Sequence, residues 1–116
     1  QGYSSAASDV YKRQEKDKLL LVELTEEIDH CKTEELRRKI DYEIERHMPK
    51  KVIFDFNSVN FMDSSGIGFL LGRFKLATML GGDLGLINVS KSTKKILEMS
   101  GALKVIPIYD NFKFAI

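Results

Sequence analysis

The residues best able to do chemistry lie in Phe61–Lys75, FMDSSGIGFLLGRFK, where Asp63, the adjacent hydroxyls Ser64 and Ser65, and the glycines Gly66 and Gly68 fall at the passage from a strand into a helix. Four chemistries compete for such a segment. Gly66, Gly68 and Gly72 imitate a dinucleotide-binding turn, but the third glycine comes one residue late and no acidic residue clearly terminates the following strand. A hydrolase nucleophile would need Ser65 between glycines, with a histidine and a carboxylate in support. Instead Asp63 precedes it by two residues, and of the available His30 and His47 the latter falls at the far end of its helix. A purely structural reading makes Asp63 a helix cap, Ser64 and Ser65 polar first-turn residues, and Gly66 and Gly68 positions where the helix approaches the sheet. It explains less well why hydroxyls and glycines come together, since glycine inside a helix costs about 1 kcal/mol relative to alanine. The fourth chemistry is a modification switch. A phosphate on Ser65 would meet free backbone N–H groups at the positive end of the helix dipole, yet add about two negative charges to the surface.

The elements that must position this segment follow from periodicity. Residues 19–25 (LLLVELT) read as a mostly buried strand ending at Glu26–Glu27. A helix is expected from Thr33, which can cap it. Glu34 and Glu35 suit its positive end, and Leu36, Ile40, Ile44 and Met48 recur every four residues until Pro49. Residues 51–56 (KVIFDF) form the next strand, with Val52, Phe54 and Phe56 on one side, Ile53 on the other and both faces covered. A second helix from Asp63 or Ser64 puts Ile67, Leu70, Leu71, Phe74 and Thr78 on one face and stops at Gly81–Gly82. Residues 84–88 (LGLIN) return as a strand, and Ser90–Thr93 caps a third helix through Ile96, Leu97 and Met99 that Gly101 ends. Residues 104–109 (KVIPIY) form a last strand, which Pro107 directs to a sheet edge.

Strands alternating with helices over short connections predict right-handed crossovers, hence an α/β domain with a mostly parallel central sheet of about four to five strands. Parallel strands leave at one edge, which should gather Asp29–His30, Phe61–Ser65, Ser90–Thr93 and Tyr109–Asn111 into a single docking face. Phe61 and Met62 can supply apolar contact there, with core packing the commoner fate for Phe61. His30 reads as a polar loop residue, and Lys91, Lys94 and Lys95 as a solvated helix face.

Composition narrows the function. The chain of 116 residues is one domain in size, with 43% hydrophobic and 30% charged residues, so it should fold. Its 18 Lys and Arg against 17 Asp and Glu give no charge excess to recruit a nucleic acid or an anionic membrane. Cys31 is the only cysteine, which excludes an internal disulfide and a multi-cysteine zinc site and suits a reducing cytoplasm; it reads as a small apolar residue. Leu19–Val22 and Gly66–Gly72 are too short to span a bilayer. Residues 1–14 are expected to be a non-native or disordered leader, with the domain over 15–116 and the helix after Asp110–Asn111 cut short.

FMDSSGIGFLLGRFK resembles the signature of the bacterial anti-sigma factor antagonists of the STAS domain family, of the sporulation type. LTEEIDH at 24–30 and INVSKSTKKILEMSGALKVIPIY at 87–109 extend the resemblance over about residues 19–116. It implies a STAS-like fold and a partner-switching protein without catalytic activity or cofactor. In this family the unphosphorylated antagonist binds an anti-sigma factor that is also a serine kinase, holding ATP or ADP, and so frees a sigma factor. The kinase then phosphorylates the antagonist and a serine phosphatase resets it.

By the same resemblance the acceptor is Ser65, and Asp29, Asp63, Ser64, Ser65 and Gly66 form the partner surface. The free chain is expected to be a cytoplasmic monomer with no nucleic-acid or membrane partner. Glu26 departs from the pattern, standing where the family usually has a turn glycine. The family's first strand falls on the leader, where Tyr11, Arg13 and Glu15 can still pair as an edge strand. The rivals are a general-stress antagonist of the same chemistry and a small-molecule or nucleotide-binding module using the Gly66–Gly68 turn.

Overall fold

The computed structural model describes residues 11–16, 19–24 and 30–111, with residues 11–16 and 30–32 described by their backbone. β1 (Tyr11–Lys16) pairs antiparallel with β2 (Leu19–Leu24). β2, β3 (Lys51–Asp55), β4 (Asp83–Ile87) and β5 (Ile108–Tyr109) then run parallel, in the spatial order β1-β2-β3-β4-β5. Because that order advances in one direction, right-handed crossovers carry every connecting helix over the same face. α1 (His30–His47), α2 (Ser64–Met79) and α3 (Lys91–Ser100) accordingly feed one core.

Period-two alternation sorts the strand residues. Leu20, Val22, Leu24, Val52, Phe54, Leu84 and Leu86 face the helices, and Phe56 continues the pattern beyond β3. From α1 come Leu36, Ile40 and Ile44, from α2 Phe69, Leu70 and Ala77, and from α3 Leu97. Phe54 and Phe69 meet edge to face, with ring centroids 5.8 Å apart and planes at 82°. On the opposite side of the sheet Leu21, Ile53 and Ile87 make a smaller buried cluster with Leu19 and Tyr109 packed against it. Among the described residues all helices lie on the first side, while Ile53 on the second side is as fully buried as the residues beneath the helices, so both faces of β3 are covered as expected.

Several expectations are corrected. β1 includes Tyr11–Gln14 of the segment set apart as a leader, and its backbone makes the antiparallel edge pairing foreseen for Tyr11, Arg13 and Glu15. α1 begins at His30, so Thr33 lies within the helix and does not cap it. Met48 turns out of that helix with φ of 45° and is half exposed. In α2 the buried residues are Gly66, Phe69, Leu70, Arg73 and Ala77, while Leu71 and Thr78 face outward. That helix is apolar over most of its circumference, so hydropathy alone does not select the face. Met99 of α3 is likewise exposed, and Thr93 and Leu97 take the inner positions.

The last strand is shorter than its β-branched residues suggest. Ala102–Lys104 form a turn of 3-10 helix, and β5 is Ile108–Tyr109 alone. Pro107, which has no N–H to give, accepts from Leu86 N–H at 3.0 Å, and β5 is indeed an edge strand. Asp29, Glu26–Glu27 and the helix expected beyond Asp110–Asn111 fall outside the described residues, except for Asp110 and Asn111 themselves.

Two turns meet at the end of the sheet remote from the Ser65 segment. Gly81 adopts φ of 90° after α2, and Asp83 N–H donates to the Lys50 carbonyl at 2.9 Å. A Cβ at Gly82 would stand 2.4 Å from the Pro49 carbonyl oxygen, whereas one at Gly72 would meet nothing within 4 Å. Gly82→Ala should therefore cost about 1–3 kcal/mol, as overpacking against backbone does. Gly72→Ala should instead stabilise by about 0.5–1 kcal/mol through helix propensity. Denaturant unfolding of both variants measures the contrast, and equal effects would contradict this packing.

Candidate functional site

The strand exits build the site from below. Asp55, at the end of β3, accepts from Asn57 N–H and from Asn88 Nδ2, each at 2.9 Å, and so joins the exits of β3 and β4. Phe56 N–H donates to the Ile87 carbonyl at 3.0 Å. Val59 and Met62 are each 1% exposed and pin the loop into the core. With Met62 inward, its neighbour Phe61 turns outward and stands 55% exposed one helical entry away from Ser65. Core packing, the commoner fate expected for Phe61, is therefore taken by Met62.

Asp63 then caps α2 as expected. Its backbone is extended, and its Oδ1 accepts from Ser65 N–H at 2.9 Å and Gly66 N–H at 3.3 Å. Its carbonyl accepts from Gly66 N–H at 3.0 Å and Ile67 N–H at 3.3 Å. Ser64 is exposed, Ser65 half-buried and Gly66 buried. The expectation that a phosphate on Ser65 would find free N–H groups is thus corrected: the Ser65 and Gly66 donors already serve Asp63. Gly68 also departs from its expected role, being exposed with open space where a Cβ would lie.

Beside Ser65 runs a groove of about 260 Å³ between the first half of α1 and α2, with Glu34 and Arg37 on one wall and Ser65, Gly68, Gly72 and Arg73 on the other. Arg73 is 7% exposed; its Nε lies 2.5 Å from Asp41 Oδ1 and its Nη1 donates to the Phe69 carbonyl at 3.2 Å. Its guanidinium also sits 5.3 Å from the Phe69 ring centroid. Burial pulls the Arg73 pKa down, and the Asp41 carboxylate opposes that fall. Arg37 pairs with Glu34 and approaches Asp41 at 3.8 Å. Its hydrogen bond, then its charge, holds the Glu34 carboxyl below the usual carboxylate range.

Sequence reasoning passes over Arg37, Arg73, Glu34 and Asp41 as site residues. The available signal was Arg73, a lone cation inside the otherwise apolar run from Gly66 to Leu71 and Phe74, eight residues after Ser65. Ser65, Gly68 and Gly72 sit at spacings of three and four, which stacks small residues along one helix face.

The rival chemistries lose support from this geometry. His47 ends α1, pairing with Glu43 at 3.2 Å, while the groove reaches α1 at Arg37, roughly 15 Å nearer its start by helical rise. A dinucleotide phosphate at the α2 entrance would meet the Asp63 carboxylate on the very N–H groups it needs. No described helix is long and apolar enough to cross a membrane.

Comparison with known proteins agrees with this architecture. The STAS domain family matches residues 11–115. The anti-sigma F factor antagonist of Paenibacillus polymyxa is 38% identical over 93 residues, covering 80% of each chain. The unphosphorylated form of the anti-sigma factor antagonist SpoIIAA superposes with a TM-score of 0.77 at 27% identity, covering 90% of this chain and 91% of the other. The phosphorylated form of SpoIIAA, a Bacillus cell fate determinant, superposes with a TM-score of 0.69 at 27% identity, covering 90% and 95%. A β-sheet advancing strand by strand, an aspartate-capped helix carrying Ser65 at the sheet's exit edge and a match spanning nearly the whole chain lead to one conclusion: the chain belongs to the STAS domain family.

Proposed function

We propose that this chain is an anti-sigma factor antagonist that works by partner switching, with Ser65 as the residue whose phosphorylation turns it off. The observation that carries this reading is the placement of Ser65 in the first turn of α2, held by the Asp63 cap and flanked by exposed Ser64 and outward Phe61. A hydroxyl held on a rigid helix entrance at a docking face suits a substrate of a protein kinase. The likeness to antagonists whose structures exist with and without phosphate supports the same reading.

In this account the unphosphorylated chain docks on an anti-sigma factor that is also a serine kinase, and the sigma factor is released. Phe61 supplies apolar area, and Asp29, Asp63, Ser64 and Ser65 form the polar contact around it, while Gly66, also expected at that surface, lies buried beneath them with its N–H given to Asp63. Ser65 Oγ attacks the γ-phosphorus of ATP held by the kinase; the bond to the ADP oxygen breaks and the hydroxyl proton passes to a base of the kinase. The product carries about two negative charges at the docking face. Facing ADP and its own Asp63 carboxylate, the phosphate weakens the complex by repulsion and desolvation, with the fold intact. A serine phosphatase removes it. The chain acts as substrate and binder in the cytoplasm, free as a monomer and requiring no cofactor of its own.

Incubation with ATP and a sporulation-type anti-sigma kinase, followed by intact mass and site mapping, should give a single phosphate on wild type and none on Ser65→Ala. Ser65→Ala should still bind the ADP-loaded kinase, and Ser65→Asp should bind at least about tenfold more weakly by calorimetry. Tight binding by Ser65→Asp would sink the electrostatic account. Phe61→Ser should also lose tenfold or more in affinity, about 1.4 kcal/mol, with its thermal midpoint little changed because the ring is already half in water. Unchanged affinity in that variant would remove Phe61 from the interface.

A further inference from the structure

We propose that the groove between α1 and α2 receives the phosphate carried on Ser65, with Arg37 turning from Glu34 to hold it. The inference rests on the reading of Ser65 as a phosphoacceptor, and adds an intramolecular partner for the modified side chain.

The first support is shape. Ser65 opens the groove on α2, and Gly68 and Gly72 continue its floor; a Cβ at either glycine would meet nothing within 4 Å. The space beside the Ser65 side chain is therefore open where most helix pairs would interdigitate. The second support is the direction in which a dianion is pushed. Asp63 holds its carboxylate on the Ser65 and Gly66 N–H groups, so the helix entrance repels a phosphate that the bare dipole would attract. The groove side offers two guanidinium groups instead.

Those two cations are not equivalent. Arg73 is buried and committed to Asp41 and the Phe69 carbonyl, so it acts as a fixed positive wall. Arg37 is 42% exposed, and its main partner Glu34 is 64% exposed. A solvated ion pair of that kind is weak and exchangeable. A phosphate presents more charge and an oxygen geometry that a guanidinium can meet with two parallel hydrogen bonds. Arg37 thus exchanges Glu34 for the phosphate, while Asp41 stays with Arg73. The exchange leaves the Glu34 carboxylate unpaired on the rim, so one modification alters the docking face at two places.

The test uses the full chain with phosphoserine installed at position 65 during translation, which makes it independent of any kinase. Phosphorus NMR is followed through a pH titration, beside a phosphoserine peptide of the same local sequence. Among the described residues, the charged groups around the phosphate are Asp63 at the α2 entrance, Glu34, Arg37 and Asp41 on α1, and Arg73 on α2. Capture by Arg37 should lower the second phosphate pKa by about half a unit or more relative to the peptide. Arg37→Gln should return it to the peptide value or above, since Asp63 and Glu34 then dominate. Glu34→Gln, which frees Arg37 without removing it, should keep the value low or lower it further. A wild-type pKa equal to or above that of the peptide, or one unmoved by Arg37→Gln in a variant that retains its helical circular dichroism, overturns the proposal. Failure of a kinase to modify the unphosphorylated chain would instead count against the reading of Ser65 as acceptor, without changing what the titration shows about the groove.

Discussion

A single carboxylate governs the behaviour of the Ser65 segment. Asp63 Oδ1 accepts the N–H groups of Ser65 and Gly66, which settles where α2 begins and in which direction its first residues point. Such caps stabilise a helix by about 1 kcal/mol. Here the cap has a further effect, because it fills with a negative charge the place where an anion would otherwise bind. The helix entrance therefore presents a hydroxyl rather than an anion site. The neighbouring hydroxyl of Ser64 is left to solvent, and Met62, anchored in the core, turns Phe61 outward beside it.

The sheet supplies the frame for that cap. Strands placed in sequential order force the helices onto one face, so α1 and α2 lie side by side and must pack against each other as well as on the strands. Their contact is more polar than the rest of the core. Phe54 on β3 meets Phe69 on α2, Phe69 carries the Arg73 guanidinium on its ring, and Arg73 reaches Asp41 on α1. One aromatic ring thus links the sheet to both helices. Toward Ser65 the same helix pair leaves a groove, in which Gly68 and Gly72 carry no side chain to fill the space.

Much of this is legible in the sequence. Val52, Phe54 and Phe56 against Ile53 define the faces of β3, and the caps Asp63 and Ser90 and the stop at Gly101 depend on short-range hydrogen bonds and backbone conformations that local residue types determine. What escapes depends on contacts distant in sequence. The inward face of α2 is selected by α1 through Arg73 and Asp41, and no periodicity within α2 announces it. The outward turn of Phe61 follows from Met62 taking the core position, a choice between neighbours that hydrophobicity cannot make. The brevity of β5 reflects a 3-10 turn that uses up Ala102–Lys104 before pairing starts.

The edges of the sheet bear on how such a protein behaves among many copies of itself. An open edge is a template on which another strand can pair. At one side β5 offers two residues, approached through a proline that has no N–H to donate. At the other, β1 has the sequence YKRQEK, with four charged residues in six. Among the described residues, short length marks one margin and a charged sequence the other, so neither is a long apolar edge. Both are features by which sheet proteins discourage a second strand from pairing along an open edge.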